Sequence, residues 1–301
     1  MAGNFTENVT LENGGVMVLN EIAQINLITA TSASLIGSLF IIGINILFIC
    51  AVAKTNTGKS LLSDLYVMLS MSDLIFGLVS LPMYVTLMTG YINKISSPNI
   101  LWAQMFISYL FGITSMTAIG AITLELYLAV TKPLTYVARK QKNTLGNLLL
   151  VCWLVNITFA TVSYLVDRSF YHESYKLTAI AYGCSVVIFM GICQLKIHVY
   201  LRTGQSRSNL RNKKAANVAL MTLLVYLACF LPGGINSYLS LYVFRDSDFR
   251  AAFIDPWVYL ITMSNSFFDT IVYGFRSKRL NFRAFLKTFQ DRRRASSTSN
   301  M

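Results

Sequence analysis

Seven long apolar segments make up most of this chain and limit the folds open to it. A helix needs about 20 apolar residues to cross the roughly 30 Å hydrocarbon core of a bilayer. Each segment approaches or exceeds that length with few or no internal charges, and the 301-residue chain is 54% hydrophobic. The sequence therefore predicts an all-α, multi-pass integral membrane protein built as a seven-helix bundle. The predicted spans are residues 28–53, 65–90, 99–124, 144–166, 177–195, 215–243 and 256–275.

The positive charge is concentrated on one side of the predicted bundle. Of the 25 Lys and Arg residues, 20 lie in alternate connections, at residues 54–59, 132–142 and 196–214, and in the tail from residue 276. The positive-inside rule places these segments in the cytoplasm and the N-terminus outside. A basic surface for nucleic acid is the alternative, but topology already accounts for the charges, so no nucleic-acid partner is predicted.

This topology divides the chain into three parts. An extracellular segment at 1–27 precedes the bundle at 28–275, and a cytoplasmic part follows at 276–301. Phenylalanines recur among basic residues between 277 and 289, a pattern typical of a short amphipathic helix, the eighth, lying on the inner leaflet. Asn4 and Asn8 begin N-x-Thr sequons in the outer segment and are candidate glycan acceptors.

Polar side chains inside membrane spans are costly, so each one indicates a function or a specific interhelical contact. Asn265 and Asp269 are four residues apart and share a helix face that can point toward Asp73. Oxygen ligands with two carboxylates suit a hard cation such as sodium, or a shared proton. A hydrogen-bond network that only holds the helices together is an equally open interpretation. The polar residues concerned are Asn45, Asp73, Ser115, Asn265, Ser266 and Asp269.

Two other function classes are disfavoured. A cation or proton transporter would use Asp73 and Asp269 as relays, but internal repeats and paired broken helices are not evident. An enzyme is the least favoured class, because His172 and His198 fall on opposite membrane faces and no nucleophile triad is evident. The five cysteines all lie inside predicted spans, where they are expected to pack as small apolar residues.

Several motifs, in order along the spans, resemble those of class A (rhodopsin-like) G-protein-coupled receptors. Asn45 lies in the first span, LxxxD ends at Asp73 in the second, and Trp153 lies in the fourth. The segment 229–232 (CFLP) is similar to CWxP, and 269–273 (DTIVY) is similar to NPxxY or DPxxY. The resemblance covers roughly residues 28–288 and implies a plasma-membrane receptor for an extracellular ligand.

The resemblance also assigns roles to individual residues. Five of the polar residues named above match the family's allosteric sodium pocket, with Asn45 beside it, and no other cofactor is implied. The five are Asp73, Ser115, Asn265, Ser266 and Asp269. Phe230, Pro232 and Tyr273 match an activation switch through which the sixth helix moves on its inner side, toward a heterotrimeric G protein or an arrestin-like partner. Proline has an independent reason to bend the helix, since it removes a backbone hydrogen bond and clashes with the preceding turn.

The chain departs from the family at its inner coupling motif. Glu125 and Tyr127 are present, but Leu126 stands where the family has arginine. Leucine supplies neither charge nor donor, so the usual ion pair cannot form and output impaired or independent of G proteins is an alternative. The family's outer disulfide is also absent, since Leu101 stands at its cysteine position. With a short second outer loop and no proline in the fifth span, this is similar to melanocortin-type receptors.

Only the exclusion of some ligand classes follows from the sequence. Ser108 stands where amine receptors carry aspartate, and Met263 where opsins carry the retinal lysine. The ligand is therefore predicted to be neither a monoamine nor retinal. Acidic residues on the predicted outer face either attract a cationic or peptide ligand or merely keep that surface solvated.

Overall fold

The computed structural model describes residues 13–54, 61–93, 95, 98–136, 144–169, 174–203, 210–243 and 248–276. Within these residues the secondary structure is helical, joined by short turns, and contains no strand. Residues 133–136 form one further helical turn. The elements are α1 (Asn13–Lys54), α2 (Leu61–Ile75), a π-helix (Phe76–Ser80), α3 (Leu81–Ile92), α4 (Pro98–Thr131), α5 (Thr144–Ser169), α6 (Ser174–Arg202), α7 (Leu210–Tyr242), α8 (Asp248–Phe253) and α9 (Asp255–Arg276).

Five helices among the described residues are long and apolar enough to cross a membrane. A shorter apolar stretch, Val151–Val166, lies in α5. Helix α9 is less apolar because polar residues interrupt its middle, where Asn265 and Asp269 lie. The predicted all-helical membrane architecture is confirmed, while the count of seven spans remains a prediction. The five spans are Glu21–Ala53, Asp64–Ile92, Pro98–Thr131, Lys176–Arg202 and Asn212–Tyr242.

The first helix starts earlier than the first predicted span, and two predictions near the chain ends concern residues that the structure does not describe. Helix α1 begins at Asn13, well before the predicted span at residue 28. Adding a residue to an existing helix costs far less than starting one, so a helix readily continues past the hydrocarbon region. The sequons at Asn4 and Asn8 and the amphipathic helix predicted beyond residue 276 lie outside the described residues.

Helices α4 and α9 hold the bundle together. Helix α4 contacts α2, α5, α6 and α7, while α9 packs mainly against α7 and α1. Between them lies a buried apolar cluster whose largest fully buried members come from five helices. These members are Leu65, Leu69, Ile119, Ile122, Leu126, Met190, Ile197, Tyr226 and Tyr273. Most other large apolar side chains on the outer helix faces are exposed, as a lipid-facing surface requires.

The π-helix Phe76–Ser80 interrupts the second predicted span just after Asp73. Its wider turn is closed by the Leu81 N–H, which donates to the Phe76 carbonyl five residues back. Ser38 of α1 donates from its hydroxyl to the Gly77 carbonyl over 2.9 Å. Such single π turns occur often at functional sites, because they rotate the residues that follow. Here the rotation places Ser80 against α4.

Helices α7 and α9 approach closely beside the proline of α7. Pro232 lies inside α7, which continues to Tyr242. The next residue, Gly233, faces α9 so closely that an added Cβ would lie 2.8 Å from Thr262 Oγ1. At Gly234 an added Cβ would have open space. The absence of a side chain at Gly233 therefore permits this approach, next to the point where proline weakens the helix.

Candidate functional site

A buried carboxylate joins α2 to α9 at the centre of the bundle. The Ser266 hydroxyl donates to Asp73 Oδ1 over 2.8 Å. Asp73 is 1% exposed, and the Ser115 hydroxyl of α4 lies close to its carboxyl group. Three helices thus meet at one ionisable side chain, which needs such partners to be stable away from water.

A second buried carboxylate lies beside the first. Asn265 donates from Nδ2 to Asp269 Oδ2 over 2.6 Å, across one turn of α9. Both residues are at most 1% exposed. Asp269 is close enough to Asp73 for their charges to interact. Two like charges at such a site repel each other unless a cation or proton neutralises one of them.

Asn45 connects α1 to the same cluster. Its Nδ2 donates to the Ile41 carbonyl over 2.9 Å and to the Ser266 carbonyl over 3.3 Å. Its Oδ1 accepts from the Thr270 hydroxyl over 2.7 Å. The sequence prediction did not include Thr270, although its spacing of four residues from Ser266 placed it on the same helix face.

Four oxygens of this cluster are buried without a hydrogen-bond partner among the described residues. Leaving a buried polar atom unpaired costs about 1–3 kcal/mol, so four such atoms in one place fit an ion or water held between them. All four are oxygens, and two belong to carboxylates, which is a donor set that suits a hard cation such as sodium. The atoms are Asp73 Oδ2, Ser115 Oγ, Asn265 Oδ1 and Asp269 Oδ1.

The predicted switch residues lie on the α7 and α9 faces that meet beside this cluster. The Phe230 ring packs against Tyr226 with centroids 4.5 Å apart. Tyr226 is 1% exposed and lies near Asp269. Tyr273, one turn beyond Asp269, packs against Tyr66 of α2 with centroids 4.5 Å apart. Movement of α7 would therefore change contacts close to Asp269.

The residues of the predicted inner coupling motif face different ways. Leu126 is fully buried in the apolar cluster, and Glu125 is 3% exposed, while Tyr127 is half-buried. The same cluster contains Ala216 and Ala219 of α7. The leucine that stands where the family has arginine is thus part of the same buried apolar cluster as these α7 residues.

Residues 44–273 match the sequence pattern of the family described as 7 transmembrane receptor (rhodopsin family), which covers more than half of the chain. This chain belongs to the rhodopsin family of seven-transmembrane receptors. This match confirms the predicted class A membership and the multi-pass membrane character of the chain. The family is one of receptors and not of enzymes.

Three relatives show how distant the similarity is. Mas-related G-protein coupled receptor member X2 of Homo sapiens is 22% identical over 189 residues, 60% of this receptor and 56% of the relative. Mas-related G-protein coupled receptor member A of Rattus norvegicus is 22% identical over 193 residues, 60% and 62% of the two chains. Prokineticin receptor 2 of Mus musculus is 25% identical over 288 residues, 80% and 72%.

The alignments with the two Mas-related receptors span less than two thirds of those proteins' length. Neither they nor the prokineticin receptor is melanocortin-type by name, so the melanocortin-type resemblance stays a prediction. At these identities the relatives establish kinship, and this receptor's ligand and partners have to be argued from its own residues.

A second polar cluster links three helices at the opposite end of the bundle from Leu126. Ser108 of α4 is hydrogen bonded to Ser80 at 2.5 Å and accepts from Gln104 Nε2 over 3.0 Å. Gln104 also donates to the Tyr259 hydroxyl over 3.1 Å, and the Tyr259 ring stacks on Tyr84 with centroids 4.0 Å apart. Only Ser108 was predicted, although Gln104 precedes it by one helical turn. Polar groups placed between helices in this way often line a ligand site.

Proposed function

We propose that this receptor has seven spans with the N-terminus outside, lies in the plasma membrane, and senses an extracellular ligand. In this proposal the bundle at 28–275 carries the ligand and ion sites. The cytoplasmic segment 276–301 begins with an amphipathic helix. A ligand that binds one conformation better than another shifts the equilibrium, and the inner end of α7 moves to engage a heterotrimeric G protein.

The observation that carries this proposal is the set of unpaired buried oxygens beside the α7–α9 contact. A packed bundle that served only as a scaffold would pair such atoms or replace them with apolar groups. Asp73 and Asp269 contribute two of these oxygens, and Asp269 lies near Tyr226 on the helix that contains Pro232. Binding or release of an ion at these oxygens would therefore change the surroundings of α7, the helix that Pro232 makes easier to bend.

The same oxygens support sodium as an allosteric ligand. Asp73 and Asp269 would hold the ion, together with Ser115 and Asn265, whose oxygens are also buried and unpaired among the described residues. A bound monovalent cation would supply positive charge between two carboxylates that otherwise repel each other. Ser266 and Asn45 position these ligands, since they hydrogen bond to Asp73 and to the α9 backbone, respectively.

Leu126 favours a second candidate, a receptor whose output does not pass through a G protein. Its side chain has no polar atom and is 0% exposed, so this position offers an incoming partner neither a donor nor an accessible surface. In this alternative the ligand and ion sites work as proposed above, and an arrestin-like protein or another inner-face partner reads the movement.

Measurement of agonist-independent coupling to each G-protein class, with sodium varied, tests the main proposal. Full-length receptor in membrane vesicles is combined with each purified G protein, and nucleotide exchange is followed in sodium chloride and in equimolar choline chloride. We expect exchange with at least one class and less exchange in sodium. No exchange with any class, together with recruitment of an arrestin-like protein, would favour the second candidate. Neither response would contradict both.

A further inference from the structure

One carboxylate at the predicted outer end of the bundle is already bound to a cation supplied by the chain itself. Arg250 of α8 donates from Nη1 to Asp255 Oδ1 over 2.8 Å and to Oδ2 over 2.9 Å. Asn236 of α7 donates to Asp255 Oδ1 over 2.7 Å. The short helix α8 and the outer part of α7 are therefore both attached to the first residue of α9.

The surroundings of Asp255 favour binding of a positively charged group. Tyr84 lies close enough to interact electrostatically with Asp255, and its ring stacks on Tyr259. Carboxylates and aromatic faces together recognise guanidinium and ammonium groups, through ion pairing and through the negative face of the ring. In the present structure the group that takes this position is the guanidinium of Arg250.

The pair between Arg250 and Asp255 is suited to exchange. The Asp255 side chain is 36% exposed, so a group from the solvent can reach its carboxylate. A cation from a ligand that replaced Arg250 would leave the carboxylate paired, and the Arg250 side chain, 14% exposed in this conformation, would be free to turn toward water. Neither charge would then be left buried and unpaired. A buried charge without a partner is what makes breaking an ion pair costly.

We propose that Asp255 binds a guanidinium or ammonium group of a basic peptide ligand, and that Arg250 is an internal competitor for the same position. This inference rests on the proposed function, which places the end of the bundle that holds Asp255 outside the cell. It deepens that function by naming the ligand's chemistry. The cationic side chains of the peptide, rather than a monoamine at Ser108, would carry the recognition.

The geometry also links this position to the moving helix. Asn236 lies four residues beyond Pro232 on α7 and bonds to the same oxygen that Arg250 engages. A ligand cation that takes the place of Arg250 must share this oxygen with Asn236 or break the bond from α7. Release of α8 and of Asn236 loosens the outer part of α7, on the far side of its proline from Leu126.

A binding measurement on two variants with opposite expected signs tests the inference. The purified full-length receptor in lipid nanodiscs is titrated with fluorescein-labelled tri-arginine amide, with labelled tri-glutamine amide as the uncharged control. Asp255→Asn removes the charge and should weaken tri-arginine binding about tenfold or more. Arg250→Gln removes the competitor and should tighten it, while Arg250→Lys retains a cation and should remain near the wild type.

The opposite changes in tri-arginine affinity distinguish ligand recognition by Asp255 from a purely structural role, in which the Arg250–Asp255 pair only holds the helices together. A clamp predicts that Asp255→Asn and Arg250→Gln lower Tm together and change peptide binding in the same direction, and that result would overturn the proposal. Equal binding of tri-arginine and tri-glutamine would do the same. If Asp255→Asn does not fold, the tightening by Arg250→Gln still decides. No G protein is used, so absence of coupling, which would count against the proposed function, leaves this binding test intact.

Discussion

Ser266 donates to one oxygen of Asp73 over 2.8 Å and leaves the other oxygen, Oδ2, without a hydrogen-bond partner among the described residues. The carboxylate is thus fixed in orientation by α9 while part of its bonding capacity stays available. A residue that only tied α2 to α9 would need a single acceptor oxygen for the bond from Ser266, and not a second oxygen left unpaired. The arrangement supports a carboxylate that is both an interhelical acceptor and an ion ligand.

Asp73→Asn should abolish stabilisation of the receptor by sodium. Asparagine keeps an acceptor oxygen for Ser266 but removes the charge that attracts the ion. A site at ten times its sodium Kd contributes about 1.4 kcal/mol to the free energy of unfolding, so the wild-type Tm should rise when sodium chloride replaces equimolar choline chloride. Asp64→Asn, which neutralises a carboxylate at the start of α2, should keep this response. A sodium-dependent Tm that survives in Asp73→Asn would remove that residue from the ion site.

Gly233→Ala should destabilise the receptor, because the added methyl group would lie 2.8 Å from Thr262 Oγ1. Overpacking of this kind costs about 1–3 kcal/mol and should appear as a lower Tm in detergent. The double variant with Thr262→Ala should recover most of the loss, since the hydroxyl that clashes is then gone. Gly234→Ala is the matched control: its methyl group meets nothing within 4 Å, and alanine favours the helix. Equal Tm changes at the two glycines would contradict the close approach of α7 and α9.

The sequence predicted those parts of the site that follow from spacing along one helix. Asn265 and Asp269 were placed on one face by the four-residue rule, and the structure has them hydrogen bonded over 2.6 Å. The choice of Ser266 as the partner of Asp73 depends on how α9 and α2 are set against each other, which spacing within either helix does not determine. The burial of Leu126 has the same origin: the substitution is visible in the sequence, but the apolar cluster that Leu126 joins is assembled from several helices only in the packed bundle.

The π-helix and the pairing of Asp255 were beyond sequence reasoning for a related reason. Pro82, two residues after Phe76–Ser80, indicates a local irregularity but not a π turn in particular, and the Ser38 hydroxyl that bonds to the Gly77 carbonyl comes from another helix, α1. Asp255 was recognised only as one of several outer acids. Its bond to Asn236 joins residues on two helices, so local periodicity contains no signal for it.

Tyr226→Phe should raise the stability of the receptor. The Tyr226 hydroxyl is buried with no hydrogen-bond partner among the described residues, so its removal relieves a desolvation cost of about 1–3 kcal/mol without breaking a protein bond. Tyr182→Phe is the contrasting variant, since the Tyr182 hydroxyl is hydrogen bonded to Thr117 at 2.6 Å, and its loss should cost about 1 kcal/mol. Thermal unfolding of both variants gives the comparison. A lower Tm for Tyr226→Phe than for Tyr182→Phe would mean that the Tyr226 hydroxyl has a strong partner, such as an ordered water.

Leu126→Arg should lower the stability of the receptor and raise its basal coupling. Leu126 is 0% exposed within the apolar cluster, and an unpaired charge placed there costs about 3 kcal/mol or more. Movement of the α7 end away from α4 would let the guanidinium reach water, so the substitution favours the open conformation and supplies the donor that the family uses. Leu126→Met, which nearly conserves volume, should cost under about 1.5 kcal/mol and leave basal coupling unchanged. Tm and basal nucleotide exchange are measured on the same preparations. A variant that melts earlier without added coupling would show that the missing arginine is not what limits output, and would favour signalling without a G protein.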